Sequence, residues 1–439
     1  MKQNKYLEDL AMLKAGFARL DITPPLGTHL DGYFYERHAS SVLDPLELNA
    51  IALNDGEKTV VLIAADLMAI AIEDVKHIKK RIEERLGLCE ECVLIHAIHQ
   101  HNSFWLDNMV KPYRLPSAYI ELLYTKFVDV AQLAIEDMAE ATLSSGEKET
   151  DKRIAFTRRF KLDDGRTVTN PYPEEIPHID HRIGEADNIV RILRFKREGK
   201  KDIALVNFSA HPDVVKGDKI TADWPGFTRR FVEADLGDVN CAFFTNAQGD
   251  VAHRDIINGY SKQGYEHSRY MGRVIADAVI KIWDSTTERK ADKLFAAISV
   301  VYNKSNTSGE EEYEESKAFY AENSKNPGVS GQYLGYAKRV IAIRESMTIY
   351  TALPVTVMGI GEVVLFGLPG EPFHQYAEIA RNLAKGKFAL TFCITNGYQG
   401  YLPTAEAFAE GGYEARSSHF TPALEEQITN EAKKLIDMI

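Results

Sequence analysis

Val93-Leu94-Ile95-His96-Ala97-Ile98-His99-Gln100-His101-Asn102 begins as an apolar run and ends in polar residues, with three histidines in six positions. The apolar half reads as a buried strand. If strand geometry continues to the end, His99 and His101 point to one face and His96 to the other. Two residues of extended chain span about 6–7 Å, so both rings can reach one site. Such a pair suits two metal ligands, or one ligand beside a proton-transfer group. The plain alternative is a set of polar residues at a strand end. Three of the chain's 13 histidines in so short a stretch weigh against it.

Working outward, the chain alternates strand and helix patterns. Ala15 to Ile22 reads as a strand, stopped by Pro24-Pro25. Strands follow at Asn49–Leu53 and Thr59–Ala65, joined by Asn54-Asp55-Gly56-Glu57, which has hairpin-turn chemistry. Residues Ala71 to Gly87 have helical spacing, and Ser117 to Thr142 read as a long amphipathic helix with Ser117 as its cap. Asp151 to Pro177 is polar and turn-rich. Further strands are expected at Asn188–Phe195, Ala204–Ser209 and Cys241–Asn246, with helices at Pro225–Leu236, Tyr265–Trp283 and about Gly309–Ser324. Leu353–Ile360 and Glu362–Phe366 form an apolar hairpin, and a last amphipathic helix follows Pro422. This mixture predicts an α/β fold of layered mixed β-sheets flanked by helices. No linker-like segment divides residues 1–439, so a single domain is expected.

Other chemistry-bearing residues sit where strands run out. Leu205-Val206-Asn207-Phe208-Ser209-Ala210-His211-Pro212 ends on a histidine. Asp223 precedes Pro225 and can cap a helix or orient a ligand. Gly249-Asp250-Val251-Ala252-His253 makes a turn after a strand. Leu368-Pro369-Gly370-Glu371-Pro372 holds a carboxylate between two prolines, rigid enough to aim it at a metal. Tyr398, Tyr401 and Tyr413 lie on glycine-rich loops. There is no HExxH, GxSxG or phosphate-cradling loop. The residues alone therefore point to a metal site assembled from distant segments.

Composition narrows the partners. The chain has 439 residues, a net charge of −12, 45% hydrophobic and 26% charged residues, which is globular and acidic. Nucleic acid is not expected as a partner, because phosphate binding needs clustered Lys and Arg. The first residues lack the apolar core of a secretory signal, and no run such as Thr59–Ile72 is long enough to span a bilayer. A cytoplasmic protein without membrane insertion is the expectation, its oligomeric state open, a homo-oligomer included. Cys89 and Cys92 form a CxxC without a second pair, and all four cysteines read as structural rather than metal-binding or redox residues.

Taken in order, DITPPLG, HAIHQH, NFSAHP, TADWPG, GDV, LPGE, GYLPT and GGYEA resemble the neutral/alkaline ceramidase family, from about Ala15 to about Ser418. The resemblance is to bacterial-type homologues limited to the catalytic domain. It implies a neutral-ceramidase catalytic-domain-like fold without the C-terminal β-sandwich. It also implies one zinc ion (Zn2+) held by His99, His211, Glu371 and Tyr401. His101 would move protons, Tyr413 would hydrogen-bond the oxyanion, and Arg158, with Arg159 as fallback, would contact substrate. The twelve-residue offset between Tyr401 and Tyr413 matches the family spacing. Ala252, followed by His253, stands where the family has a serine, which separates this chain from ceramide hydrolysis. The expected function is a zinc-dependent hydrolase cleaving an amide bond of a small or medium acylated substrate through water activated by the metal. An O-deacylase or esterase, for example on an acylated sugar, and a non-catalytic zinc- or ligand-binding relative are the alternatives. His178 and His181, in the polar middle segment, are further candidates for reading a polar group of the substrate.

Overall fold

The computed structural model describes residues 13–108, 115–307, 309–326, 329, 331–346 and 348–439. The opening residues, read above as lacking a signal, lie mostly outside this set.

Thr59–Ala65 explains the layering. Its side chains are apolar at nearly every position, which a strand needs only when both of its faces are buried. Val60, Leu62 and Ala64 enter one core, while Val61, Ile63 and Ala65 enter another. The strand belongs to a nine-stranded sheet. Its path runs Val239–Thr245, Asp202–Phe208, Ile189–Arg197, Ala139–Glu149, Lys14–Asp21, Glu47–Asn54, Thr59–Ala65, Val93–Ala97, and the ninth strand, Thr287–Arg289, pairs with Ala139–Glu149 off this path. A second sheet of four strands runs Leu294–Lys304, Tyr350–Ile360, Val363–Gly367, Phe388–Phe392.

The two sheets pack face to face. Leu53, Leu62, Leu94 and Phe195 of the first meet Met358, Leu365, Leu390 and Phe392 of the second. The outer face of the first sheet is covered by Ile72–Leu86 and Ser117–Glu136 on one half and by Asp223–Leu236 and Tyr265–Ile282 on the other. Helices Gln375–Leu383 and Leu424–Ile436 cover the outer face of the second. The result is helix, sheet, sheet, helix: the layered α/β arrangement expected from the sequence.

Within these two sheets most neighbouring strands are antiparallel, but three pairs are parallel: Thr59–Ala65 with Val93–Ala97, Asp202–Phe208 with Val239–Thr245, and Val363–Gly367 with Phe388–Phe392. The carboxyl ends of these strands lead into the loops that carry His99, His211, Gln248, Glu371 and Tyr398.

Several sequence readings change. The helix from Ser117 stops at Glu136, and Ala139–Glu149 is a strand at the middle of the large sheet. Its alternating pattern was hidden behind the continuing helical spacing. Ser117 makes no capping hydrogen bond, and the capping position is Pro116. The helix read from Pro225 starts at Asp223. The polar segment after Asp151 contains short strands, including a small sheet of Thr167–Thr169, Arg159–Leu162 and Ile179–Arg182. Cys89 and Cys92 are joined by a disulfide, because the turn Glu90–Cys92 brings their Cα atoms to 5.3 Å. Cys241 and Cys393 are free and buried, as expected. No helix among the described residues is long and apolar enough to cross a membrane.

Candidate metal centre

His96 lies inside the sandwich between the sheets. Its Nδ1 faces the Cys393 carbonyl at 2.6 Å, its Nε2 accepts from the Thr245 amide at 2.9 Å, and its ring stacks on Phe244. Both nitrogens are satisfied, so it is a core histidine tying the sheets together.

His99 and His101 do share a site, but not by strand alternation. The strand ends at Ala97, and His99 adopts a left-handed backbone with φ 69°. That conformation is costly for a non-glycine residue and collects at functional sites. It is held because the amides of Ile98 and His99 donate to the carbonyls of Ala65 and Leu67, each at 3.0 Å. Asp66 between them is locked by Arg229 through two hydrogen bonds of 2.8 and 2.5 Å. The turn swings the His99 ring onto His211, with ring centres 5.0 Å apart.

His99, His101 and His211 form a buried group whose ligating nitrogens all lie within 4.8 Å of one another. Glu371 is only 1% exposed and joins them. Its Oε2 is 3.4 Å from His99 Nε2 and 3.2 Å from His211 Nε2. The opposite nitrogens decide the tautomers. His99 Nδ1 sits 2.8 Å from the Met68 carbonyl, and His211 Nδ1 sits 3.1 Å from the Gln248 carbonyl. A carbonyl only accepts, so each Nδ1 carries the proton and each Nε2 turns a lone pair toward Glu371. His101 differs: its Nδ1 has no hydrogen-bond partner, and its Nε2 is 3.4 Å from His99 Nε2. Burial lowers the basicity of His101 well below the ordinary value, with proximity to His99 adding to it. Burial and then Arg158 lower His211.

Glu371 is held from the other side. Tyr398 donates its hydroxyl to Oε1 at 2.7 Å, whereas Oε2 accepts no hydrogen bond. Glu371 pairs in register with Tyr401 across a short parallel bridge. Burial, then the charge of Glu371, pushes both phenols far above their ordinary range. Arg158 is buried beside them. It donates from Nε to Glu414 at 2.9 Å, and from Nη2 to the Gly249 carbonyl at 2.7 Å and the Tyr401 hydroxyl at 3.0 Å. Its Nη1 faces the His211 ring at 3.5 Å. Tyr413 follows Tyr401 edge to face, with centres 5.5 Å apart. Burial is the largest cause keeping its phenol protonated.

The Gly249-Asp250-Val251 turn is scaffold. The Val251 carbonyl accepts from the His211 amide at 3.0 Å, and that of Asp250 from the Arg158 amide at 2.9 Å. Asp250 also grips His374 through its amide and Nδ1, at 2.9 and 2.7 Å. Only glycine fits at 249, because a Cβ there would stand 2.3 Å from the Glu371 carbonyl oxygen. Ala252 pairs with Phe156 in a two-residue strand, and buried His253 faces Asp213 at 3.3 Å. Asp223 accepts from the Val214 and Val215 amides, fixing the loop after His211.

Arg159 is directed elsewhere, pairing with Glu410 at 2.8 Å. His178 and His181 are exposed and pair locally with Asp163 and Asp180, so the structure does not bring them into the histidine group. Sequence reasoning placed Tyr398 on a glycine-rich loop just before the GYLPT stretch but gave it no role, and it missed the carbonyls of Met68 and Gln248, which no side-chain pattern reveals. It also missed Tyr33 and Phe34. Their rings pack edge-on against His101 at 5.2 Å and Tyr413 at 6.2 Å.

No family model matches the chain, and no curated protein matches it. Solved structures do. The fold is similar to that of the neutral ceramidase from Pseudomonas aeruginosa, with a TM-score of 0.71 at 15% identity, covering 97% of this chain and 74% of that one. A ceramidase complexed with C2 gives a TM-score of 0.72 at 16% identity, with 97% and 75% covered. The chain has a neutral-ceramidase-like fold.

Proposed function

We propose that the protein is a zinc-dependent hydrolase of an acylated small molecule, cleaving an amide bond. The observation that carries this reading is the meeting of two imidazole Nε2 lone pairs on one buried carboxylate oxygen that accepts no hydrogen bond. Such an arrangement is unfavourable without a cation, because a buried carboxylate needs a donor or counter-charge. Two nitrogens and a carboxylate oxygen are the donor set of catalytic zinc sites. His99, His211 and Glu371 would hold the ion, with Tyr401, paired to Glu371, as fourth ligand. A zinc ion there supplies Lewis-acid polarisation of a carbonyl and acidifies water to a pKa of about 7.

The remaining residues have separable tasks. His101, without a carbonyl fixing its Nδ1, moves the proton to the leaving nitrogen. Tyr413, kept protonated, donates to the oxygen that gains charge. Arg158 holds the Tyr401 hydroxyl in place and presents Nη1 to the site. The fold supports an amide substrate, since the solved neighbours are ceramidases. Ala252 in place of a serine separates this chain from ceramide itself.

The test is elemental analysis joined to hydrolysis assays. Wild type should carry about one zinc per chain, lost in the His99→Ala, Glu371→Ala double variant. His101→Ala should keep the zinc and lose turnover. Paired amide and ester substrates with the same acyl group decide between amidase and esterase. Folded wild type that binds no zinc after reconstitution refutes the reading.

A further inference from the structure

A cavity of about 240 Å³ is lined in part by Tyr413, and it is built differently from the buried centre. Tyr333 and Tyr336, from helix Gly331–Ser346, line it together with Tyr413 itself. Its charged lining residues are Arg166, Arg416 and Glu175. Two guanidinium groups and one carboxylate line the cavity directly, so the charge open to a ligand depends on what each arginine is already paired with.

The two arginines differ in their commitments. Arg166 is engaged by Asp164 at 2.7 Å and by Glu175 at 3.7 Å. Arg416 donates from Nε to the Gly412 carbonyl at 3.3 Å and leans toward the Tyr336 ring at 5.9 Å. No carboxylate pairs with Arg416 among the described residues. The Nη donors of this exposed side chain are therefore available to a ligand. A guanidinium presents them as a planar fork that fits a carboxylate.

The shape agrees with the charge. The volume lies below the about 300–1,000 Å³ of drug-sized pockets, so the cavity takes a compact group rather than a long chain. The tyrosine faces are amphipathic and suit a ring. The wall is held in place because Phe34 fills the groove beside Gly331 and Gly335, where a Cβ would meet its ring at 2.4 and 2.9 Å. The same Phe34 packs edge-on against Tyr413. The helix bearing Tyr333 and Tyr336 is thereby tied to Tyr413.

We propose that this cavity binds the carboxylate-bearing, ring-containing end of the substrate, with Arg416 as its anion-recognising residue. As a substrate subsite it rests on the hydrolase reading. The substrate class is then an N-acylated aromatic amino acid or a similar ring-bearing acid, and its hydrolysis releases an amino acid and a carboxylic acid.

The experiment measures binding apart from turnover. N-acetyl-phenylalanine, its neutral amide and phenyl phosphate are titrated calorimetrically into the full-length, zinc-reconstituted His101→Ala protein, which does not turn over, with Arg416 intact or with Arg416→Ala or Arg416→Lys added. The acid should bind about ten-fold or more tighter than the amide, the gain expected from one charge-assisted hydrogen bond. Arg416→Ala should erase that preference without changing zinc content, and Arg416→Lys should restore part of it. Equal binding of acid and amide with Arg416 intact, binding of neither, or a preference untouched by Arg416→Ala overturns the proposal. Preference for phenyl phosphate over the acid overturns the carboxylate assignment. If hydrolysis occurs but is indifferent to the carboxylate, this inference fails and the hydrolase reading stands. If the acid preference appears but wild type shows neither zinc nor turnover, the hydrolase reading and the substrate class fail, and only the anion-binding cavity at Arg416 stands.

Discussion

Tyr398→Phe removes one oxygen and tests how Glu371 is aimed. The Tyr398 hydroxyl donates to Glu371 Oε1 at 2.7 Å, the one side-chain hydrogen bond that carboxylate accepts among the described residues. Phenylalanine keeps the ring and its packing against Trp105 and His99, at 5.3 and 6.0 Å between centres. A hydrogen bond to a charged group contributes about 1.5–3 kcal/mol. Loss of a residue that orients a metal ligand typically costs about 10–100-fold in metal affinity, or about 1.4–2.7 kcal/mol. The two ranges overlap, so zinc affinity should fall by about one to two powers of ten. Zinc content at saturation should stay near wild type. The assay is competition against a chelating dye, with circular dichroism to establish that the variant is folded. A folded variant whose zinc affinity stays within about two-fold of wild type refutes the view that Tyr398 positions Glu371 for a metal.

Two further outcomes follow from buried charge. Arg229→Ala should be strongly destabilising, since it leaves Asp66, fully buried, without its bidentate partner. Breaking such a pair costs about 3–5 kcal/mol. With unfolding entropy of about 2.1 cal/mol/K per residue over 439 residues, that lowers Tm by about 3–5 °C. Calorimetry showing no change would contradict the role of this pair in holding the His99 turn. His374 titrates above the ordinary histidine range: burial would lower it, but the Asp250 carboxylate outweighs burial. A histidine raised in the folded state adds stability that is complete below its unfolded value and is lost as pH rises through its folded value. His374→Gln should therefore cost more stability near about pH 5.5 than near about pH 8.5, as chemical denaturation would measure. An equal cost at both values would contradict it.

Much of the fold was legible because its strands announce themselves. Thr59–Ala65, Val93–Ala97 and Cys241–Thr245 are nearly continuous apolar runs, as strands buried on both faces must be. The strand Ala139–Glu149 was not legible. It carries Glu140, Glu147 and Glu149, and it continues a helical apolar spacing without a break. Its place in the sheet is decided by pairing with Ile189–Arg197. The disulfide between Cys89 and Cys92 was likewise hidden, since a CxxC alone does not state its redox form.

By itself the sequence determined which residues are candidates for chemistry and that they follow strands: His99, His101, His211, Glu371, Tyr401 and Tyr413 were all named from it, partly through the ceramidase resemblance. What only the tertiary structure decided is how they meet. His96 and His99 are equivalent on paper, yet one is satisfied in the core by Cys393 and Thr245, while the other is turned by a left-handed backbone toward Glu371. The difference lies in partners that are not side chains. The carbonyls of Met68 and Gln248 select the tautomers, and the parallel bridge sets Tyr401 beside Glu371. Backbone groups are the same at every position, so a sequence cannot say which of them a histidine will find; only packing two sheets face to face brings those atoms within hydrogen-bond range.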